Sequence, residues 1–190
     1  MTIGKRCDGH LSNYYPSELA PSDDEVSETQ ALCDAAGVST LNTRLTKEAE
    51  GKLTLLVASA ASDSLAPSYP PELKSSDGKT VLKIQAGDFA HELTAVNAAL
   101  TQAEKHAGDD NRAAMLRDYA ESFKTGDIEK HKDGSRKWVK DVGPVVESYI
   151  GFIESYVDPY GARAEWEGFT AIVDVSSGAQ LSLPGPVLMY

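Results

Sequence analysis

The sequence lacks the features that mark several large classes of protein. It has only two cysteines in 190 residues, Cys7 and Cys33, which is too few for a secreted domain stapled by disulfides. No apolar run approaches the length of about 20 residues that a membrane-spanning helix needs. No apolar segment follows Lys5 and Arg6, so we expect no secretory signal. Together these absences predict a cytoplasmic protein with reduced thiols and no membrane partner.

Basic charge is also scarce. The chain has 18 Lys and Arg against 29 Asp and Glu, which gives a net charge of −11. An acidic surface of this kind repels the phosphate backbone of nucleic acids. The densest basic stretch, 130–140, contains Asp133 and lies beside Asp127 and Glu129, which is typical of a solvated helix face. We therefore expect no nucleic-acid partner.

The pattern of apolar residues predicts an α+β fold. Apolar side chains that recur every three to four residues predict helices at 23–36, 88–107 and 110–124. Alternation and β-branched residues predict strands at 41–46, 53–59, 80–85 and 145–150. The first two strands should form a hairpin, Asp88 should cap the second helix, and the stretch 62–78, rich in proline and serine, should be a loop.

The sequence contains no familiar catalytic motif. His91-Glu92 begins like a zinc-binding motif, but the second His should follow one helical turn later, where Ala95 and Val96 stand. We also find no glycine-rich phosphate loop and no G-x-S-x-G nucleophile turn. We therefore expect His91 on a helix surface and no recognisable metal ligands in this chain.

Glu147 and Tyr149 are the candidate binding residues. They are two positions apart, so on a strand their side chains lie on the same face. A carboxylate suits an ammonium group and a phenol suits a carbonyl, and these are the two ends of the first residue of a peptide. The same pattern also fits an ordinary half-exposed strand with a solvated Glu, and the residues alone leave both interpretations open.

The run 143–169, GPVVESYIGFIESYVDPYGARAEWEGF, closely resembles the dipeptidyl-peptidase III family of zinc exopeptidases. Similarity of the same kind extends over roughly 9–174. The further segments that carry it are 9–12, 14–16, 41–45, 87–90, 120–123, 126–129, 131–132 and 134–138.

The resemblance implies two lobes around a wide cleft. Residues 1–174 resemble part of the substrate-binding lobe, which has helices and a β-barrel-like core, while the missing, mostly helical lobe carries zinc. Family members remove dipeptides from the N-termini of short peptides in the cytosol, so short peptides are the implied partners. Glu147 matches the glutamate that holds the substrate ammonium. Tyr149 matches the tyrosine that hydrogen-bonds near the scissile carbonyl, which makes it both a substrate-binding and a catalytic residue.

Two departures from the family pattern shape our expectations. The H-E-x-x-x-H zinc helix of the family lies downstream of this segment, and the chain is expected to begin inside the family's sequence. After Asp174 the resemblance ends in an uncharged tail, 175–190, which we expect to be disordered or the product of a truncated or mis-spliced gene. Three interpretations remain: part of a zinc dipeptidyl peptidase that is inactive alone, a non-catalytic peptide-binding or interaction protein, and a fragment unable to fold independently.

Overall fold

A capping box starts the first helix, α1 (Asp23–Ala36), in the computed structural model, which describes residues 3–174. The Glu25 N–H donates to the Ser22 hydroxyl, and the Ser22 N–H donates to the Glu25 carboxylate. Two of the N–H groups that a helix start leaves unbonded are thereby satisfied. The tail 175–190, for which we predict disorder, lies outside the described residues.

A four-stranded open sheet packs beside α1. Its strands are β1 (Thr43–Ala49), β2 (Lys52–Ala58), β3 (Glu72–Lys74) and β4 (Val81–Asp88), in the order β1-β2-β4-β3. The predicted hairpin of β1 and β2 is confirmed, and β2 pairs in parallel with β4. The short edge strand β3 lies inside the stretch that we predict as a loop. Buried side chains from α1 and the sheet form the first core: Val26, Cys33, Leu45, Leu53, Leu55, Val57, Leu82 and Ile84.

Three helices form a second layer with its own core. They are α2 (Ala90–Lys105), α3 (Asp110–Thr125) and α4 (Ile128–Trp138). The first two confirm the helices predicted at 88–107 and 110–124, whereas α4 is not among the predicted helices. The buried side chains of this second core are Leu93, Leu100, Met115, Leu116, Tyr119 and Phe123.

Asp88 does not cap α2, contrary to the prediction. It is the last residue of β4, and its carboxylate accepts two hydrogen bonds from the Arg44 guanidinium, at 2.7 and 2.5 Å. The residue before α2 is Phe89, in the left-handed region with φ of 55°, and no side chain caps that helix. The bidentate ion pair with β1, which lies on the other side of β2, therefore takes the carboxylate that local spacing assigns to the helix.

The last two strands, β5 (Val146–Phe152) and β6 (Trp166–Ile172), form a separate antiparallel pair. The predicted strand at 145–150 falls on β5. Among residues 3–174 the four-stranded sheet and this pair share no hydrogen-bonded strands, so no closed barrel is present in the described part of the chain. The α+β class is confirmed, and the barrel-like core that the resemblance implies is not found.

The connection between β5 and β6 is held by a buried carboxylate. Asp158 accepts hydrogen bonds from the N–H groups of Tyr160, Ala162 and Arg163 and from the Tyr15 hydroxyl. The Arg163 guanidinium donates to the same Tyr15 oxygen at 3.0 Å, and Arg163 is only 1% exposed. This cluster ties the β5–β6 connection to the N-terminal segment.

We predict that Asp158→Ala lowers the free energy of unfolding by about 3–5 kcal/mol. The substitution leaves a buried guanidinium without a nearby carboxylate and three N–H groups without their acceptor. Urea unfolding followed by circular dichroism measures the change. Asp63→Ala is the control, since Asp63 is exposed and its loss should cost less than about 0.5 kcal/mol. Equal stability of the two variants would contradict the prediction.

Candidate functional site

The register of the β5–β6 pair places the two candidate residues on one face. Glu147 is opposite Ala171 and Tyr149 is opposite Phe169, and directly opposed side chains share a face. The Tyr149 and Phe169 rings stack with their centroids 5.5 Å apart. Both Glu147 and Tyr149 are half-buried, so each keeps part of its side chain open to solvent.

Trp138, the last residue of α4, contacts both candidate residues. Its indole Nε1 donates a hydrogen bond of 2.8 Å to Glu147 Oε1. Its ring meets the Tyr149 ring edge-on at 6.3 Å. The structure therefore brings the two predicted residues together around a third, and we call Trp138, Glu147, Tyr149 and Phe169 the indole–carboxylate site.

Several acidic side chains act on Tyr156, which follows β5 in the chain, and one of them shares the face of Glu147. The pKa of Tyr156 is raised mainly by the neighbouring Glu154, with further contributions from burial and from Glu167 and Glu165, and Tyr149 acts on it as well. Glu167 is opposite Gly151 in the strand pair and so lies on the same face as Glu147. The field at this face favours a positively charged ligand group.

His131 contacts β5 from the helical layer. It lies on α4, its Nε2 is 3.1 Å from the Ile150 carbonyl oxygen, and its ring packs against Tyr119 with centroids 5.1 Å apart. Burial lowers the pKa of His131. The close approach of ring and strand requires Gly151, because a Cβ there would lie 2.1 Å from His131 Nε2.

A cavity of about 650 Å³ lies apart from this site. Its walls include Arg44, Asp88, Phe89, Phe152 and Trp166, and neither Glu147 nor Tyr149 lines it. The Phe152 and Trp166 side chains belong to the opposite face of the β5–β6 pair, where their rings meet at 5.0 Å. The residues of the indole–carboxylate site are half-buried or exposed, so the site is a partly solvated surface outside this cavity.

The residues that could bind a metal do not converge. The His91 side chain is 94% exposed on α2, which confirms its expected place on a helix surface. Within residues 3–174 no group of three His, Cys, Asp or Glu side chains could hold a metal ion. The zinc that the resemblance implies therefore does not fit the described part of this chain. Burial raises the pKa of the Cys33 thiol to about 11, which leaves it unreactive.

Sequence reasoning did not assign a role to Trp138 or Phe169. Phe169 is twenty residues beyond Tyr149 and becomes its neighbour only through the strand register. Trp138 depends on α4, which the apolar pattern does not indicate. The available signal was the resemblance itself, because both residues lie in its matching segments.

Comparison with family models and known proteins places this chain among peptidases. The model described as Peptidase family M49 matches residues 1–183. This match extends beyond Asp174, where the resemblance seen in the sequence ends.

Among the described residues, 3–174, no helix is both long and apolar enough to cross a membrane.

Several curated proteins named Dipeptidyl peptidase 3 are similar to this chain. The protein from Dictyostelium discoideum is 42% identical over 164 residues, covering 86% of this chain and 23% of its own length. The protein from Nematostella vectensis is 42% identical over 183 residues, covering 90% and 25%. The human protein is 37% identical over 177 residues, covering 90% and 24%. The chain thus spans about a quarter of the length of the curated relatives it matches.

Solved structures share the fold. Dipeptidyl-peptidase III from Corallococcus sp. strain EGB superposes with a TM-score of 0.57 at 20% identity, covering 90% of this chain and 26% of that one. DPP III from Caldithrix abyssi gives a TM-score of 0.55 at 20% identity, covering 90% and 27%.

We predict that Gly151→Ala and Gly168→Ala differ in sign, although both alter the same strand pair. The Gly151 Cβ would strike the His131 ring, so the change should cost about 1–3 kcal/mol. A Cβ at Gly168 meets Ile150 at 3.8 Å, an ordinary contact, and the change should stabilise by about 0.5–1 kcal/mol. Urea midpoints of the two variants measure this difference. A Gly151→Ala protein as stable as the wild type would show that His131 does not pack as described.

Proposed function

This chain belongs to peptidase family M49, and we propose that it supplies the surface that holds the N-terminal end of a peptide during zinc-dependent release of dipeptides. The single observation that supports the proposal most is the contact of Trp138 with both Glu147 and Tyr149 on one open face. Because the chain spans about a quarter of its relatives, the remaining parts of the reaction belong to residues outside it.

In this proposal Glu147 binds the substrate ammonium. The Trp138 N–H occupies one lone pair of Oε1 and orients the carboxylate, which leaves Oε2 to accept from the ammonium. A charge-assisted bond of this type contributes about 1.5–3 kcal/mol when it is shielded from water. Glu167, a second carboxylate on the same face, favours the same cation.

Tyr149 then serves the next group of the peptide. Positions two residues apart on a strand are about 7 Å from each other, close to the two-residue span from the ammonium of an extended peptide to the carbonyl of its second residue. With the ammonium on Glu147, the phenol can donate to the carbonyl near the scissile bond. As charge develops on that oxygen, one such donor is typically worth about 3–4 kcal/mol. The stacking on Phe169 and the contact with Trp138 hold the phenol in place.

Zinc would be bound by residues outside this chain. The described residues, 3–174, contain no group of side chains that could hold the ion. The remaining residues, at positions 1–2 and 175–190, include no His, Cys, Asp or Glu. When bound in the longer proteins, zinc would supply an activated water to the scissile carbonyl.

We also propose a cytoplasmic location, which the free thiols of Cys7 and Cys33 support.

The second candidate function is a non-catalytic peptide-binding protein. It uses the same carboxylate and phenol, and it differs only in whether a catalytic partner completes the site. Binding of a peptide by the isolated chain is common to both functions. Recovery of dipeptide release on adding the remaining part of a family member belongs to the first alone.

We predict that the chain binds a free tetra-alanine peptide through its ammonium, with an affinity weakened at least tenfold by Glu147→Gln. The neutral amide keeps the shape of the side chain but loses the charge that attracts the cation. Acetylating the peptide N-terminus should weaken wild-type binding by a similar factor and change little in the variant. Isothermal calorimetry measures all four combinations.

Glu18→Gln is the matched control, because Glu18 is exposed and the substitution changes the net charge equally. Its affinity should equal that of the wild type. Equal binding of free and acetylated peptide to the wild-type chain would contradict recognition of the ammonium.

We also predict that the purified chain holds substoichiometric zinc after dialysis against the ion and releases no dipeptide. A metal-activated water needs ligands that fix the ion and leave one position open, and this chain has no such set in its described residues. Metal analysis and a fluorogenic dipeptidyl-naphthylamide assay measure the two properties. Hydrolysis that a chelator abolishes would overturn the prediction.

A further inference from the structure

The outer edge of β5 faces the helices instead of another strand. In the β5–β6 pair, the Val173 N–H donates to the Val145 carbonyl and the Ile153 N–H donates to the Glu165 carbonyl. Odd positions of β5 therefore bond to β6. Even positions, which include 146 and 150, turn their backbone groups away from β6 toward α3 and α4.

Two helix side chains bind this edge. Arg112 Nη1 from α3 donates to the Val146 carbonyl at 2.5 Å, and His131 Nε2 from α4 lies 3.1 Å from the Ile150 carbonyl oxygen. A carbonyl oxygen only accepts, so the proton of the neutral imidazole is on Nε2. Arg112 is itself fixed by Asp141 at 2.5 and 3.1 Å, and both side chains of that ion pair are nearly buried.

The two anchored carbonyls bracket the indole–carboxylate site. Val146 precedes Glu147 and Ile150 follows Tyr149, so the anchors are about 13 Å apart along the strand with both site residues between them. The helix that carries His131 ends at Trp138, and the next turn carries Asp141. The same helical layer therefore fixes both the strand and the indole that meets it.

We propose that Arg112 and His131 are positioning residues that hold β5 in one register against α4, so that Glu147 and Tyr149 meet Trp138. The inference rests on the proposed function, since positioning has value only if this face binds a peptide. A two-stranded sheet is marginally stable by itself, and a slip of one residue turns its side chains to the other face. Side-chain donors on two carbonyls, four residues apart, oppose both the fraying and the slip.

The packing around His131 fixes the orientation of its ring toward β5. Its ring sits between Tyr119, at 5.1 Å, and Phe123, at 6.2 Å, which fixes its orientation in the helical core. Gly151 lets the ring come this near to β5, because a Cβ at that position would overlap the imidazole. The imidazole therefore links the second core directly to the strand that carries the site.

The test compares His131→Phe with His131→Gln in the full 190-residue chain. Phenylalanine retains the ring packing but cannot donate, whereas the glutamine amide can donate to Ile150. We expect His131→Phe to weaken tetra-alanine binding at least fivefold and to shift the Trp138 indole N–H resonance, which Trp138→Phe assigns. We expect His131→Gln to restore both within about twofold of the wild type.

Thr80→Val separates positioning from general stability. The buried Thr80 hydroxyl donates to the Glu28 carboxylate on α1, so its loss lowers stability in the layer formed by the sheet and α1. We expect a lower urea midpoint with unchanged affinity and unchanged Trp138 resonance. If His131→Phe gave the same result as Thr80→Val, His131 would have only a structural role and the inference would be overturned.

The outcomes also separate this inference from the proposed function. If the wild type binds no peptide while His131→Phe still shifts the Trp138 resonance, the proposed function fails and the anchoring of β5 is supported. If His131→Phe does not fold, Arg112→Met removes the other donor, with Arg112→Lys as its rescue. An unchanged Trp138 resonance in Arg112→Met would then overturn the anchoring.

Discussion

The joint between the sheet and the end of α3 is the interaction on which the rest of this structure depends. The last carbonyls of a helix lack partners within it, and here they accept from the segment after β2: Ala60 donates to Phe123, Ala61 to Lys124 and Ala66 to Thr125. The Gly126 carbonyl accepts from Asn42 and Tyr69, both buried.

This joint connects the two hydrophobic cores and sets the start of α4. Gly126 has φ of 77° and its α-carbon lies so near the sheet that a Cβ would approach the Val57 side chain to 2.6 Å. The chain therefore leaves α3 in one direction, Asp127 caps α4, and eleven residues later the helix ends at Trp138. The place of the indole beside Glu147 follows from hydrogen bonds at the far end of the helix.

The sequence predicted those elements whose side chains alternate between buried and exposed positions. The helices near 23–36, 88–107 and 110–124 and the strands β1, β2 and β4 all bury apolar side chains, and β5 packs Ile150 and Phe152 against the second core. The helix α4 buries little besides Ile128 and Gly134, so its sequence carries no apolar repeat. Its contact with α3 relies on the absence of a side chain, since a Cβ at Gly134 would lie 2.6 Å from the Tyr119 ring.

The other sequence predictions that were wrong concern residues whose structure depends on long-range contacts. Asp88 fits a helix cap by local spacing, yet the Arg44 guanidinium on β1, two strands away in the sheet, binds it. The strand β3 exists only through its pairing with β4. For the site, strand spacing correctly put Glu147 and Tyr149 on one face. The indole that joins them comes from α4, for which the charge pattern of 130–140 indicated only a solvated helix face and no contact with the strand.

The exposure of Glu147 to water determines how strongly this chain can bind a peptide ammonium by itself. Ion pairs exposed to water contribute about 0–1 kcal/mol, whereas shielded charge-assisted bonds contribute about 1.5–3 kcal/mol. Glu147 lies on a half-exposed face, away from the 650 Å³ cavity. Under our proposal, the part of the protein that carries zinc would also exclude water from this carboxylate. Ammonium binding would then be stronger in the longer proteins than in this chain alone, by the difference between a shielded and an exposed charged pair.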